Sequence, residues 1–160
     1  MTGFFGRFSF PLLALVLASA TRALSASDSE ASGTFKGNDQ PARISFVSAH
    51  KGTTLADKET TMLIFTEKDH STEKRPGTKA SSGDFGSALI VTVHADGKIV
   101  GCEVAHQAHI NKPFNSIGPI RMSDFRIEGG QMRGRISTNG KAETFQQSWE
   151  VDLTFRIKVP

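Results

Sequence analysis

Residues 145–159 read Phe-Gln-Gln-Ser-Trp-Glu-Val-Asp-Leu-Thr-Phe-Arg-Ile-Lys-Val, and their alternation decides the fold. Phe145, Gln147, Trp149, Val151, Leu153, Phe155, Ile157 and Val159 share one parity. Gln146, Ser148, Glu150, Asp152, Thr154, Arg156 and Lys158 share the other. A period of two with one polar exception, Gln147, marks a strand with one buried face. Wound into a helix, the same residues would scatter around the axis. At about 3.3 Å per residue the ribbon is roughly 50 Å long, beyond an ordinary strand. It should bend near Gln147-Ser148, as strands do where sandwiches and small barrels turn corners.

Upstream, Asn139-Gly140 signals a two-residue hairpin turn, which places Gly134 opposite Phe145. Gly129-Gly130 gives another turn, pairing Ile127 with Met132, Phe125 with Gly134 and Ser123 with Ile136. Gly134 then lies between the rings of Phe125 and Phe145, the way aromatic side chains cover glycines in strands. Asp96-Gly97 centres a hairpin over Ala88 to Ala105, pairing Val93 with Val100, Val91 with Cys102 and Leu89 with Val104. Its core face carries Leu89, Val91, Val93, Val100, Cys102, Val104 and His106. Arg43 to Ala49 alternates around Ile44 and Phe46, while Thr60 to Thr66 is apolar and β-branched throughout, a central strand covered on both faces. The expectation is an all-β, antiparallel β-sandwich or flattened β-barrel of about eight strands built from hairpins.

With 160 residues the chain has the length of one domain. Arg7, the apolar run from Phe8 to Ala18 and the small residues that follow resemble a secretory signal peptide over 1–26. The run is too short for a membrane span, which needs roughly 20 apolar residues. Residues 27–32 suggest a disordered leader and 33–160 a single β domain. Residues 67–83, charged and lacking an apolar anchor, suggest a mobile loop. The expected location is the periplasm or the exterior, without stable membrane insertion once the signal is cleaved.

Without Arg7 and Arg22, nineteen basic residues become seventeen against sixteen acidic ones, a net charge near +1. That balance gives no basic surface for nucleic acid. Cys102 is the single cysteine, so no intramolecular disulfide forms and the core must hold the fold.

Three sets of residues bear on chemistry. Cys102, His106 and His109 follow a Cys-x3-His-x2-His spacing, and thiolate with imidazole suits zinc or copper. On a strand Cys102 and His106 stand about 13 Å apart, so they share a metal only if the chain folds back. Arg126 falls opposite Arg133 with Arg135 two residues along. That juxtaposition needs neutralising, by Glu128 and Asp124 locally or by a bound anion such as an acidic glycan, phosphate or carboxylate. Asp69-His70-Ser71 holds triad residue types at adjacent positions, which is not a triad, and no Gly-x-Ser-x-Gly elbow or phosphate loop is present. The expected function is an exported, non-catalytic binding or interaction module for a protein, glycan or small molecule, with no cofactor. The alternatives are a metal protein or enzyme using the histidine-bearing loops, and a carrier of a small apolar ligand inside a β-barrel.

Overall fold

The computed structural model describes Met1 and residues 29–160, so the signal peptide read over 1–26 lies, Met1 apart, outside the described residues. Two antiparallel sheets pack against each other. One orders its strands as β2 (Gln40–Ala42), β1 (Glu30–Gly37), β11 (Gln147–Lys158), β9 (Gln131–Ser137) and β8 (Arg121–Glu128). In that sheet β10 (Ala142–Thr144) also pairs with β11. The other is a meander of β3 (Phe46–Lys51), β4 (Thr60–Thr66), β5 (Ala88–His94), β6 (Ile99–Ala105) and β7 (Phe114–Asn115). Eight of these strands are six residues or longer, matching the expected number, and β2, β7 and β10 are short additions. The fold is an all-β sandwich.

Strand β11 is the spine of its sheet, pairing with β1 along one edge and with β9 and β10 along the other. Trp149, Val151, Leu153, Phe155 and Ile157 are buried, as the alternation requires. They meet Leu63, Phe65, Leu89, Val91, Val93, Cys102 and Val104 from the facing sheet. Burying a large apolar side chain stabilises a fold by about 1.5–3 kcal/mol relative to leaving it wet. Phe65 and Phe155 meet edge to face across the sheets at 5.6 Å, which locks their relative position. This packed interior replaces the open lumen that an apolar-ligand barrel requires.

The hairpins depart from expectation in instructive ways. Val91 pairs with Cys102 and Leu89 with Val104, but Val93 pairs with Ile99, because a bulge leaves Val100 unpaired. Ile127 pairs with Met132, after which Asp124 and Phe125 bulge out before Ser123 pairs with Arg135. Phe125 therefore leaves Gly134 and lies over Gly97, where an added Cβ would meet its ring at 2.6 Å. Gly134 is covered by Met122 and Phe155 instead. The chain turns at Asn139-Gly140 but enters β10, and the tight turn into β11 is Phe145-Gln146, both with positive φ. Phe145 is thus 72% exposed rather than core. The bend expected near Gln147 is this turn, and β11 stays within one sheet. On β3 it is Val47 that faces the core, while Phe46, around which the alternation was read, lies exposed.

Gln147 keeps core parity and is buried, and its carboxamide explains how. Oε1 accepts from the backbone N–H groups of Ile110 (2.7 Å) and Asn111 (3.2 Å), and Nε2 donates to the Asn111 carbonyl at 2.9 Å. One side chain thereby satisfies three backbone groups of the β6–β7 connection, which a strand partner would otherwise supply. Gln147→Leu should cost roughly 2 kcal/mol, the scale of leaving such groups unpaired. It should also speed hydrogen exchange of the Ile110 and Asn111 amides while the rest of the sandwich stays protected. Unchanged exchange at those two amides would show that the clamp is not what holds the loop.

Candidate functional site

Residues 67–86 fold over the outer face of the meander. They contain a six-residue helix, α1 (Pro76–Ser81), where a mobile loop without an anchor was expected. Pro76 at its start supplies a preset φ and gives up no needed donor. Pro76 and Ala80 are the buried anchors, and Ala80 joins Ile64, Ala88, Ile90 and Ala105 in a second, smaller apolar cluster. Glu67 fastens the two ends of the segment, accepting from the N–H of Ser87 at 2.6 Å and of Arg43 at 3.0 Å. Burial alone would raise the Glu67 pKa, but these hydrogen bonds outweigh it and hold the carboxyl below its usual range. The end of the expected leader likewise falls in a strand, residues 30–32 being part of β1, while 27 and 28 lie outside the described residues.

Beside α1 opens a cleft of about 730 Å³, within the range that holds small ligands. Its floor includes Met62, Ile90, His50 and Glu103, and its rim Lys74, Arg75 and Lys112, with the hydroxyls of Thr78, Ser81 and Ser82 along α1. Ser81 donates a short hydrogen bond to Glu103 Oε1, tying the helix to β6. Glu103 is the one carboxylate among the lining residues. Neither Lys74, Arg75 nor Lys112 forms an ion pair among the described residues. Lys112 Nζ donates instead to the Gln107 carbonyl at 3.1 Å.

His50 ends a directed chain of hydrogen bonds. Thr66 Oγ1 donates to the Lys68 carbonyl at 2.8 Å, so toward His70 Nδ1, 2.6 Å away, it accepts. Neutral His70 thus carries its proton on Nδ1 and presents a bare Nε2 to Ser48 Oγ at 2.6 Å. With its only proton given to His70, Ser48 accepts from His50 Nε2 at 2.9 Å. The His50 tautomer follows: proton on Nε2, lone pair on Nδ1. Burial lowers the pKa of both imidazoles, with the Lys68 carbonyl and Asp69 partly offsetting the effect at His70. Both are neutral at pH 7.

The residues singled out from sequence lie elsewhere. Cys102 faces the core and burial, with Glu103 adding, pushes its thiol up to about 12, so at neutral pH no thiolate is on offer. His106 and His109 are buried under the β1–β2 turn, their ring centroids 5.4 Å apart. An added Cβ at Gly37 would fall within 2.7 Å of both rings. His106 Nδ1 accepts from the Ala108 N–H at 3.1 Å and His109 Nε2 donates to the Ser148 carbonyl at 2.9 Å. His106 Nε2 and His109 Nδ1 remain without partners. Among the described residues no three His, Cys, Asp or Glu side chains converge to hold a metal. Cys102 points between the sheets while the histidines close one end.

Arg126 does stand opposite Arg133, and Arg156 continues the row on β11. Arg126, Arg133 and Arg135 line one shallow hollow on the outer sheet face. Glu128 neutralises Arg133 at 2.8 Å, as its diagonal position suggested. Arg135 is held in a two-pronged pair by Asp152 (2.6 and 2.7 Å) rather than by Asp124, which the bulge displaces. Glu30 takes Arg156 at 3.4 Å. The row is mostly balanced by its own carboxylates. The basic rim of the cleft is not.

Ser48 and His50, two residues apart on β3, were legible as sharing a face. Their meeting with His70, and the basic residues of 74, 75 and 112, depends on how 67–86 folds back. No family model, curated protein or solved structure matches the chain.

Proposed function

We propose that the chain is an exported, non-catalytic binding module whose ligand is a small anion with an apolar portion, taken up in the cleft beside α1. The N-terminal leader motif supports export, and no described helix is long and apolar enough to cross a membrane. The observation that carries the ligand class is the lining: three cations without carboxylate partners stand over an apolar floor of Met62 and Ile90. Solvated cations are cheap on a surface, but gathered around one concavity they raise the local concentration of anions. Arg75 suits two-point capture of a carboxylate or phosphate, and the lysines act as point charges.

Calorimetric titration with hexyl glucuronide, which joins a carboxylate to an apolar tail, tests the reading. Wild-type protein should bind it saturably, and the double variant Lys74→Ala, Arg75→Ala should bind at least tenfold more weakly, about the loss of one or two charge-assisted contacts. Both residues are exposed, so the melting temperature should hardly move. No saturable binding, or binding indifferent to the double variant, would sink the proposal.

A further inference from the structure

We infer that His50 is a hydrogen-bond acceptor in the cleft and that it selects anions bearing a hydroxyl group, acidic sugars above all, over simple carboxylates. This rests on the cleft being a ligand site and specifies what enters it. The argument starts from proton counting. Thr66 spends its proton on the Lys68 carbonyl, which obliges His70 to donate from Nδ1, Ser48 to donate to His70, and His50 to donate from Nε2. Each hydroxyl has one proton and each neutral imidazole has one, so all four bonds form together only when the protons run in this direction. What is left is His50 Nδ1, with no hydrogen-bond partner among the described residues, on a side chain that lines the cleft. A lone pair there finds no match in a bare carboxylate, which has no proton to give. A ligand hydroxyl supplies one.

The rest of the lining is complementary to the same kind of molecule. Ser81 and Ser82, whose protons go to Glu103 and to the Thr78 carbonyl, offer lone pairs to ligand hydroxyls. The Thr78 hydroxyl lines the cleft beside them, and Glu103 adds acceptor oxygens. A sugar acid presents a negative group for Lys74, Arg75 or Lys112, hydroxyls for these partners and an apolar ring face for Met62 and Ile90. A fatty acid uses only the first and last of these. Sites built to pair a ligand hydroxyl discriminate strongly against analogues lacking it, because their own polar groups are then left unpaired.

The groups around His50 are Met62 across the strand pair, Lys51 beside it, Ser48 and through it His70, with Glu103, Lys74, Arg75 and Lys112 around the cleft. Protonating His50 places a second N–H on Nδ1, turning an acceptor into a donor and adding charge. The preference for hydroxylated anions should then fade while affinity for a plain carboxylate rises.

Three probes separate the elements: hexyl glucuronide (charge, hydroxyls and tail), hexanoate (charge and tail) and hexyl glucoside (hydroxyls and tail). The glucuronide should bind about tenfold more tightly than hexanoate at pH 7.5, and that ratio should shrink as His50 titrates in nitrogen-resolved NMR of the same sample. His50→Ala should reduce the ratio toward one, and His50→Gln, whose amide oxygen can accept, should restore part of it. The NMR spectrum should show His50 protonated at Nε2, and Ser48→Ala should release that tautomer preference. Equal binding of glucuronide and hexanoate, both sensitive to Lys74→Ala, Arg75→Ala, would overturn the acceptor role and leave the anion reading standing. Binding of hexyl glucoside as tight as the glucuronide would overturn the anion reading itself. A His50 carrying its proton on Nδ1 would overturn the inference without any binding measurement.

Discussion

Trp149→Ala should remove about 3–5 kcal/mol from the stability of this sandwich, the usual cost of truncating a fully buried tryptophan. The indole is 1% exposed and sits at the point where β1, β10 and β11 come together, opposite Gly37 on one side and Ala142 on the other. Its Nε1 donates to Thr144 Oγ1 at 3.2 Å, and its ring meets Phe114 edge-on at 6.4 Å. The variant therefore loses transferred area and one hydrogen bond and leaves a cavity, with small glycine and alanine neighbours unable to refill the space. Domains of this size hold only about 5–15 kcal/mol in total, so the variant should approach the threshold of folding at 37 °C. Urea unfolding followed by far-UV circular dichroism measures it, since the chain's only tryptophan is the fluorescent probe removed. A loss below 1 kcal/mol would mean the region collapses around the missing ring and that the packing described for it is wrong.

The second large effect is on acid tolerance. Burial, with His109 adding, lowers the pKa of His106 to about 4, and burial lowers that of His109 as well. In the unfolded chain both titrate near 6.5. Above that value neither state holds the extra proton and the folded state has its full advantage. As pH falls from 6.5 toward 4 the unfolded chain gains protons that folded His106 refuses, so stability declines through that interval. The shift at His106 corresponds to roughly 3–4 kcal/mol once the pH is below both values. Carboxylates titrate mostly below pH 5, so the upper part of the interval isolates the histidines. Denaturation midpoints at pH 7, 6, 5.5 and 5 should fall steadily. His106→Gln, whose amide oxygen can still take the Ala108 N–H, should flatten the slope. Midpoints that stay level from pH 7 to 5 would show that these imidazoles are not held neutral by the fold.

Parity was the legible part of the sequence. The buried set of β11 and most of the inward set of β5 and β6 (Leu89, Val91, Val93, Cys102, Val104 and on to His106) follow from alternation alone, whereas Val100 gives up its expected place on the core to Ile99. Parity survives even shifts, however, and that is where register escaped. Gly134 was expected opposite Phe145 and stands opposite Phe155, ten residues along and on the same face. The error traces to Phe145-Gln146, which turn with positive φ although neither residue type announces it. Bulges at Val100 and at Asp124-Phe125 were equally silent, since an unpaired residue costs little when both neighbours keep a partner. The cleft was least legible of all. Its cover is anchored by Pro76 and Ala80, too small to register as a hydrophobic pattern, and its lining comes from β3, β4, β5, β6, the 67–86 segment and the loop at 112–113. Charge balance across strands was read correctly at Arg133, where the neutralising Glu128 lies on the adjacent strand of the same hairpin. It was misread at Arg135, whose partner Asp152 comes from β11.

The central position of β11 constrains how the chain can assemble. Strand β1 finds its long partner only at the far end of the sequence, with Glu30 and Arg156 separated by 126 positions. During synthesis β1 has only the short β2 beside it, and its other edge must wait while the whole meander emerges and has the opportunity to form on its own. Such distant pairing places this protein among slow folders. For the export we propose, that delay would be useful, because a sheet that cannot close early leaves the polypeptide threadable for as long as translocation takes.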